Sequence, residues 1–116
     1  MIVCLRTVVV PAKERERYRD WIDDGRAVRE AHGILGELVI EPSGGDGETL
    51  VITMWPSHEQ FDAWIATPER DALTASDVHR AVDYRPITRY DVVGGYVNVD
   101  HLGALQSTSG LAEEHP

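Results

Sequence analysis

The feature that most constrains the fold is the run IVCLRTVVV at residues 2–10, which is apolar on both faces of a strand. Its β-branched residues, and the proline that follows them at Pro11, are typical of a short β-strand. Arg6 is the only charged residue within it. Because successive side chains in a strand point to opposite sides of the sheet, this strand needs cover on both sides.

The rest of the chain alternates between helical and strand patterns. Apolar residues at three- and four-residue steps predict a helix over residues 12–31, which Gly33 ends. Ser57 and Thr67 each have the form of a helix N-cap, and the helix after Thr67 should reach about residue 82. The further strands are predicted at residues 34–41, 49–55 and 87–93, the first two joined by the Gly-rich turn 42–48. The predicted order is β-α-β-β-α-β, an α+β ferredoxin-like fold with an antiparallel sheet.

The two faces of this predicted sheet differ in their cover. Helices cover only one face of a ferredoxin-like sheet, yet the first and third strands are apolar on both faces. A second copy of the chain, packed sheet against sheet, is the simplest cover, so we predict a homodimer. One domain is expected over residues 1–98. Residues 99–116 are expected to form a C-terminal extension that contacts the partner and then frays.

Composition excludes several classes of partner. Twenty acidic and eleven basic residues give a net charge of −9, so we expect binding neither to nucleic acid nor to anionic membranes. No apolar stretch approaches about 18 residues, and no secretory leader pattern precedes the first strand. We therefore expect a soluble cytoplasmic protein. The single cysteine, Cys4, is expected to be a buried, unreactive thiol, and no Cys/His spacing predicts a metal site.

Arg6 is the most informative polar residue. A guanidinium within an apolar strand needs a partner, so Arg6 pairs with a carboxylate such as Asp91 or Glu37 or with the dimer mate, or it binds an anion of a substrate. Exposure at the end of the strand is the remaining alternative. Two histidines are candidate general bases, since imidazole titrates near neutral pH. His58 lies in the first turn of a helix, where simple solvent exposure is the alternative. His79 lies on an apolar helix face, where burial in the core is the alternative.

Three stretches carry a family resemblance: VVVPA at residues 8–12, HGILGELVIEP at 32–42 and VITMWPSHEQFDAW at 51–64. With them, residues 1–96 resemble the antibiotic biosynthesis monooxygenase family of dimeric α/β barrels. The resemblance implies a pocket between helices and sheet, with Trp64 as one of its walls. It also implies two kinds of chemistry, since the family includes cofactor-free oxygenases that oxidise phenols, anthrones or quinols, and enzymes that degrade haem.

Two residues disfavour the haem-degrading branch. The resemblance implies an Asn on the first strand and a His after the pocket Trp in that branch, and these positions hold Arg6 and Leu73 here. His79 lies further along the chain and does not directly replace the missing histidine. We therefore expect neither a metal nor a cofactor, with molecular oxygen as the co-substrate and haem disfavoured.

The expected function is cofactor-independent monooxygenation of a small aromatic, quinol or polyketide-like substrate. Such chemistry needs a base that makes the substrate an electron-rich anion, a group that stabilises the anion, and a dry apolar cavity. The alternatives are a non-oxidative isomerase or cyclase, a haem-binding or haem-degrading protein, and a binding module without activity. The expected catalytic residues are Trp64, Arg6 and His79, and the expected substrate-binding residues are His58, Phe61 and Leu73.

Overall fold

The computed structural model describes residues 1–44 and 47–98, in which helices cover one face of an antiparallel sheet. The strands are β1 (Ile2–Val9), β2 (Gly36–Ile40), β3 (Thr49–Trp55), β4 (Asp83–Tyr84) and β5 (Thr88–Asp91). The helices are α1 (Arg15–Asp24), α2 (Arg26–Ala31), α3 (His58–Ile65), α4 (Pro68–Thr74) and α5 (Asp77–Arg80), and a 3-10 turn (Ala12–Glu14) precedes α1. The predicted ferredoxin-like fold is confirmed. The predicted extension, residues 99–116, lies outside the described residues.

The sheet has the order β2-β3-β1-β4, and β5 also pairs with β1. The strand predicted at residues 87–93 is therefore shorter than expected, and a second short strand precedes it. Strand β4 pairs with the end of β1 and β5 with its beginning, so the two share one edge. Pro86 lies between them and has no N–H to donate to a ladder. The N–H of Arg85 still donates to the Thr7 carbonyl at 3.0 Å, which keeps the segment against β1.

The first predicted helix is interrupted at Gly25, between α1 and α2. Gly25 is buried, and a Cβ atom there would lie 2.5 Å from Nη1 of Arg29. Because glycine has no side chain, the Arg29 guanidinium can cross the break at close range. Gly33 ends α2 with a φ of 98°, the left-handed conformation predicted for it.

The helix predicted from Thr67 to about residue 82 is also interrupted, between α4 and α5. The predicted N-caps are confirmed, since Ser57 accepts the N–H of Gln60 and Thr67 that of Arg70, both at 3.1 Å. A third cap, Ser76, was not predicted and begins α5. The chain therefore turns between α4 and α5 instead of continuing in one direction. This turn decides where the side chains of α5 point.

The helix-covered face of the sheet carries the core in two clusters. One contains Ile2, Cys4, Trp55, Phe61 and Trp64, and the other contains Val8, Tyr18, Ile22 and Val82. The pairing register places Arg6 opposite Val51, in the same inward-facing row as Cys4 and Val8. A charged residue thus separates the two clusters, and a cavity lies at this point.

Among the described residues, the opposite face of the sheet carries no helix, and only the segment 92–97 lies beside it, near Val3 and Met54. Apolar side chains there are exposed or half-buried, including Leu38 and Ile40 on β2 and Val3 and Leu5 on β1. Ile40 is 41% exposed. Because monomeric proteins rarely leave a contiguous apolar sheet face in water, this surface is consistent with the predicted homodimer.

Candidate active site

A half-enclosed cavity of about 130 Å³ lies between the helices and the covered face of the sheet. Its floor comes from β1 and β3, and its walls come from the helices. One end, the aromatic end, is formed by Trp55, Phe61 and Trp64. The other end, the basic end, is formed by Arg6, Arg70, His79 and Tyr84.

The aromatic end is a packed set of rings. The Trp55 ring lies 5.5 Å from that of Phe61, edge on, and 6.1 Å from that of Trp64, stacked. Trp64 is 6% exposed, and the His32 ring lies 5.2 Å from it, on the side opposite the strand. The Trp55 indole N–H donates to Oγ1 of Thr53 at 3.0 Å, so its polar atom is satisfied. This end therefore offers a rigid apolar surface suited to a planar ligand.

At the basic end, Arg6 is half-buried with its Nε enclosed and without a hydrogen-bond partner in the described part of the chain. Its guanidinium carbon lies 5.2 Å from the centroid of the Tyr84 ring. Burial lowers the pKa of Arg6, and the nearby Arg70 guanidinium lowers it further. The two carboxylates considered as partners are engaged elsewhere, Glu37 with Arg29 and Asp91 with His58. Within residues 1–44 and 47–98, Arg6 thus forms no ion pair with a carboxylate.

His79 stacks between two rings of the basic end. Its imidazole centroid lies 4.3 Å from that of Tyr84 and 5.3 Å from that of Trp21. Burial lowers the pKa of His79, and the positive charges of Arg70 and Arg6 lower it further. The imidazole is therefore neutral at pH 7, a state in which a ring nitrogen can accept a proton or bind a metal.

Tyr84 contributes a buried hydroxyl to the same end. The hydroxyl lies near that of Tyr18, but no hydrogen bond of normal geometry satisfies it among the described residues. Burial raises the pKa of Tyr84 far above its usual value, and Tyr18 adds to this rise. The phenol consequently keeps its proton and remains a hydrogen-bond donor.

A second guanidinium in the lining, that of Arg29, is fully paired. Its Nε and Nη2 donate to the two carboxylate oxygens of Glu37 at 2.9 and 3.1 Å. It also donates to the carbonyl of Ile22. Arg29 is 8% exposed, so this is a buried, two-point ion pair.

The structure brings most of the predicted site residues together. Trp64, Arg6, His79, Phe61 and Leu73 all line the cavity.

His58 does not line the cavity. It is the first residue of α3, and its Nε2 lies 2.8 Å from Oδ1 of Asp91 at the protein surface. The Ser57 cap fixes the start of this helix, so the His58 side chain points toward the end of β5 and away from the cavity.

Several lining residues were missed by the sequence analysis. Arg70 lies three residues before Leu73 on α4, and this helical spacing was a usable signal. Trp55, at the end of β3, also lines the cavity. Tyr84 belongs to the unpredicted strand β4, whose two residues carry no periodic pattern. The indole N–H of Trp21 donates to the Leu73 carbonyl at 3.1 Å, a contact that only the fold reveals.

In residues 1–44 and 47–98, no group of three or more His, Cys, Asp or Glu side chains is placed to hold a metal ion. Within the same part of the chain, no helix has both the length and the apolar character needed to span a bilayer.

The fold and the site together define a ferredoxin-like α+β protein with an aromatic cavity between its helices and its sheet. Residues 1–75 match the family described as antibiotic biosynthesis monooxygenase. The chain belongs to this family, and the resemblance noted in the sequence is confirmed.

Similar proteins of known name fall into two chemical groups. The chain is 32% identical over 81 residues to the mycobilin-producing haem oxygenase of Mycobacterium tuberculosis, over 69% of this chain and 74% of that protein. The haem-degrader MhuD from the same organism, solved with two haems in its active site, has a TM-score of 0.65 at 24% identity, over 84% of this chain and 100% of that one. SnoaB, a cofactor-independent oxygenase from Streptomyces nogalater, has a TM-score of 0.62 at 16% identity, over 81% and 92%. At these identities the two structures show the fold alone.

The haem-oxygenase relatives overturn the expectation that no cofactor is involved. Haem was disfavoured because Arg6 and Leu73 occupy the positions of two residues of the haem-degrading branch, yet the relative at 32% identity is a haem oxygenase and related structures hold haem. The expectation of a protein without a cofactor is therefore wrong. The physical reason lies in the turn between α4 and α5, which brings His79 into the same cavity wall as Leu73.

Proposed function

We propose that this chain binds haem in the aromatic cavity and catalyses its oxidative degradation with dioxygen. The observation that carries the proposal is the imidazole of His79 in the lining of a cavity that also has an aromatic end. The identity to a haem oxygenase supports the same ligand class.

The residues of the cavity fit haem in their chemistry. An imidazole nitrogen is a common ligand of haem iron, and His79 supplies one. Trp55 and Trp64 present flat apolar faces on which a macrocycle can pack. The cavity of about 130 Å³ is smaller than the roughly 300–1,000 Å³ typical of ligand sites. Haem binding therefore requires the outer wall, made by α4 and α5, to move outward.

Bound haem would supply an iron that binds and activates dioxygen. The chain supplies the remaining functions. His79 would hold the ligand by a ring nitrogen, and its ring stacks on Tyr84 in this structure. The rings of the aromatic end exclude water from the ligand face, which strengthens every polar interaction inside the cavity. Arg6 and Arg70 place positive charge beside the ligand.

A haemin titration tests the proposal, with two histidine variants as a matched pair. The wild-type chain should give a saturable Soret shift, and ascorbate with dioxygen should then bleach the Soret band. His79→Ala should weaken haemin binding by about tenfold or more, because the imidazole ligand is lost. His58→Ala removes the same group from the surface and should bind like the wild type. An absent Soret shift, or identical titrations for the two variants, would contradict the proposal.

We also infer that a second copy of the chain covers the apolar face of the sheet. The exposed side chain of Ile40 and the half-buried side chain of Leu38 support this inference, because burying apolar surface of this kind is the main favourable term in association. Light scattering at micromolar concentration should give the mass of two chains. A mass of one chain would exclude the dimer.

A further inference from the structure

We propose that Arg6, Arg70 and Tyr84 form a subsite for the carboxylate of an aromatic ligand. The proposal rests on the proposed function where the ligand is haem, whose propionates are such carboxylates, but the same subsite would bind any small aromatic acid. The subsite specifies an acidic group on the ligand, and this requirement is separate from the contacts that His79 and the aromatic end would make.

The first observation is that the basic end presents hydrogen-bond donors without matching acceptors. The Arg6 Nε is buried and has no hydrogen-bond partner within the described residues, and the buried Tyr84 hydroxyl has the Tyr18 hydroxyl near it but no hydrogen bond of normal geometry. The Arg70 side chain lines the same cavity, and none of the ion pairs of residues 1–44 and 47–98 includes it. A guanidinium can only donate, and a phenol held in its protonated form donates as well.

The second observation is that acceptors near these donors are already in use. Glu37 is the one carboxylate among the described lining residues, and both of its oxygens accept from Arg29. Oγ1 of Thr53 accepts from the Trp55 indole. A ligand that satisfies the basic end must therefore bring its own acceptors and no competing donor. A carboxylate meets this condition, since its two oxygens only accept.

The third observation concerns charge. Arg70 lies close enough to Arg6 for its charge to lower the pKa of Arg6, in a chain whose net charge is −9. Uncompensated cations in an apolar site are costly, and a carboxylate removes this cost while gaining charge-assisted hydrogen bonds. The ligand class follows from the two ends of the cavity together, a flat apolar ring for the aromatic end and an anion for the basic end.

The size of the cavity selects the probe. A dry apolar cavity of about 150 Å³ holds one benzene ring, and this cavity measures about 130 Å³. Benzoate and benzamide have the same shape, but only benzoate carries the charge and lacks a donor. All three tryptophans of the chain line the cavity. Their indole N–H resonances in a nitrogen-15 NMR titration therefore report binding directly.

The wild-type chain should bind benzoate at least about tenfold more tightly than benzamide, since hydrogen bonds to charged groups discriminate by that order. Arg6→Met and Arg70→Met should each remove most of this preference and leave benzamide binding unchanged. Arg19→Met deletes the same charge at a surface ion pair with Glu41 and should keep the preference. A folded Arg6→Met or Arg70→Met protein, judged by its NMR spectrum, that retains the preference overturns the subsite, as does equal binding of the two probes to the wild type.

Haemin and haemin dimethyl ester separate this proposal from the haem proposal. If both bind equally and tightly, haem binding stands and the carboxylate subsite is wrong. If neither binds but benzoate is still preferred over benzamide, the subsite stands and the haem proposal is wrong. Preference for haemin over its diester, lost in Arg6→Met, supports both.

Discussion

Two arginines line the same cavity in opposite states. Arg29 is buried, donates to both oxygens of Glu37 and also reaches the Ile22 carbonyl. Arg6 is half-buried, stacks over Tyr84 and leaves its Nε without a partner in the described residues. The two lie on different elements, Arg29 on α2 and Arg6 on β1. Arg29 is therefore used within the fold, whereas Arg6 keeps a free donor that the proposed ligand would use.

The largest effect is expected from Glu37→Gln. This change leaves the buried Arg29 cation without its counter-charge, so the free energy of unfolding should fall by about 3–5 kcal/mol. Urea unfolding at pH 7 measures this loss. Glu41→Gln is the matched control, because the Arg19–Glu41 pair is largely exposed and such pairs contribute about 0–1 kcal/mol.

The same measurement on Arg6→Met sharpens the comparison. No carboxylate among the described residues pairs with Arg6, so the substitution leaves no charge without its counter-ion. It also removes a partly buried positive charge, whose burial is unfavourable. The free energy of unfolding should stay within about 1 kcal/mol of the wild type or rise. If Arg6→Met destabilises the chain as strongly as Glu37→Gln does, Arg6 is a structural residue and the contrast fails.

The sequence predicts the secondary structure around this site better than the contacts of its polar side chains. The apolar row of β1 and the Ser57 and Thr67 caps are local patterns, and they predicted β1 and the starts of α3 and α4 correctly. The pairing of Arg29 with Glu37 joins α2 to β2, and Tyr84 reaches the cavity through a two-residue strand. These contacts depend on the tertiary packing, which no periodicity encodes.

His79 was a candidate from the sequence, but its position relative to Leu73 was misjudged. One continuous helix was expected, whereas Ser76 starts a new one and turns the imidazole into the cavity. A haem-ligand histidine was expected at position 73 and an asparagine at position 6, and haem was disfavoured because these positions hold Leu73 and Arg6. A single serine cap therefore changes the chemistry that the cavity can support.

The smallest expected effect is a pH dependence that arises from His79. Burial, Arg70 and Arg6 all lower its pKa in the folded chain below the unfolded value near 6.5. Above that value the imidazole is neutral in both states and contributes no pH dependence. As the pH falls below about 6.5, His79 is protonated in the unfolded chain but stays largely neutral in the folded chain. The free energy of unfolding therefore decreases.

His79→Phe keeps the ring stack on Tyr84 and removes the titrating group. Between pH 7.5 and 5.5 the wild type should therefore lose more free energy of unfolding than His79→Phe loses. The difference should be below about 1.4 kcal/mol for each pKa unit of the shift. Equal slopes would mean that the folded chain accepts the proton freely. Protonated His79 would then be a third cation beside Arg6 and Arg70. The basic end would need an acceptor for these cations, and the described residues do not supply one.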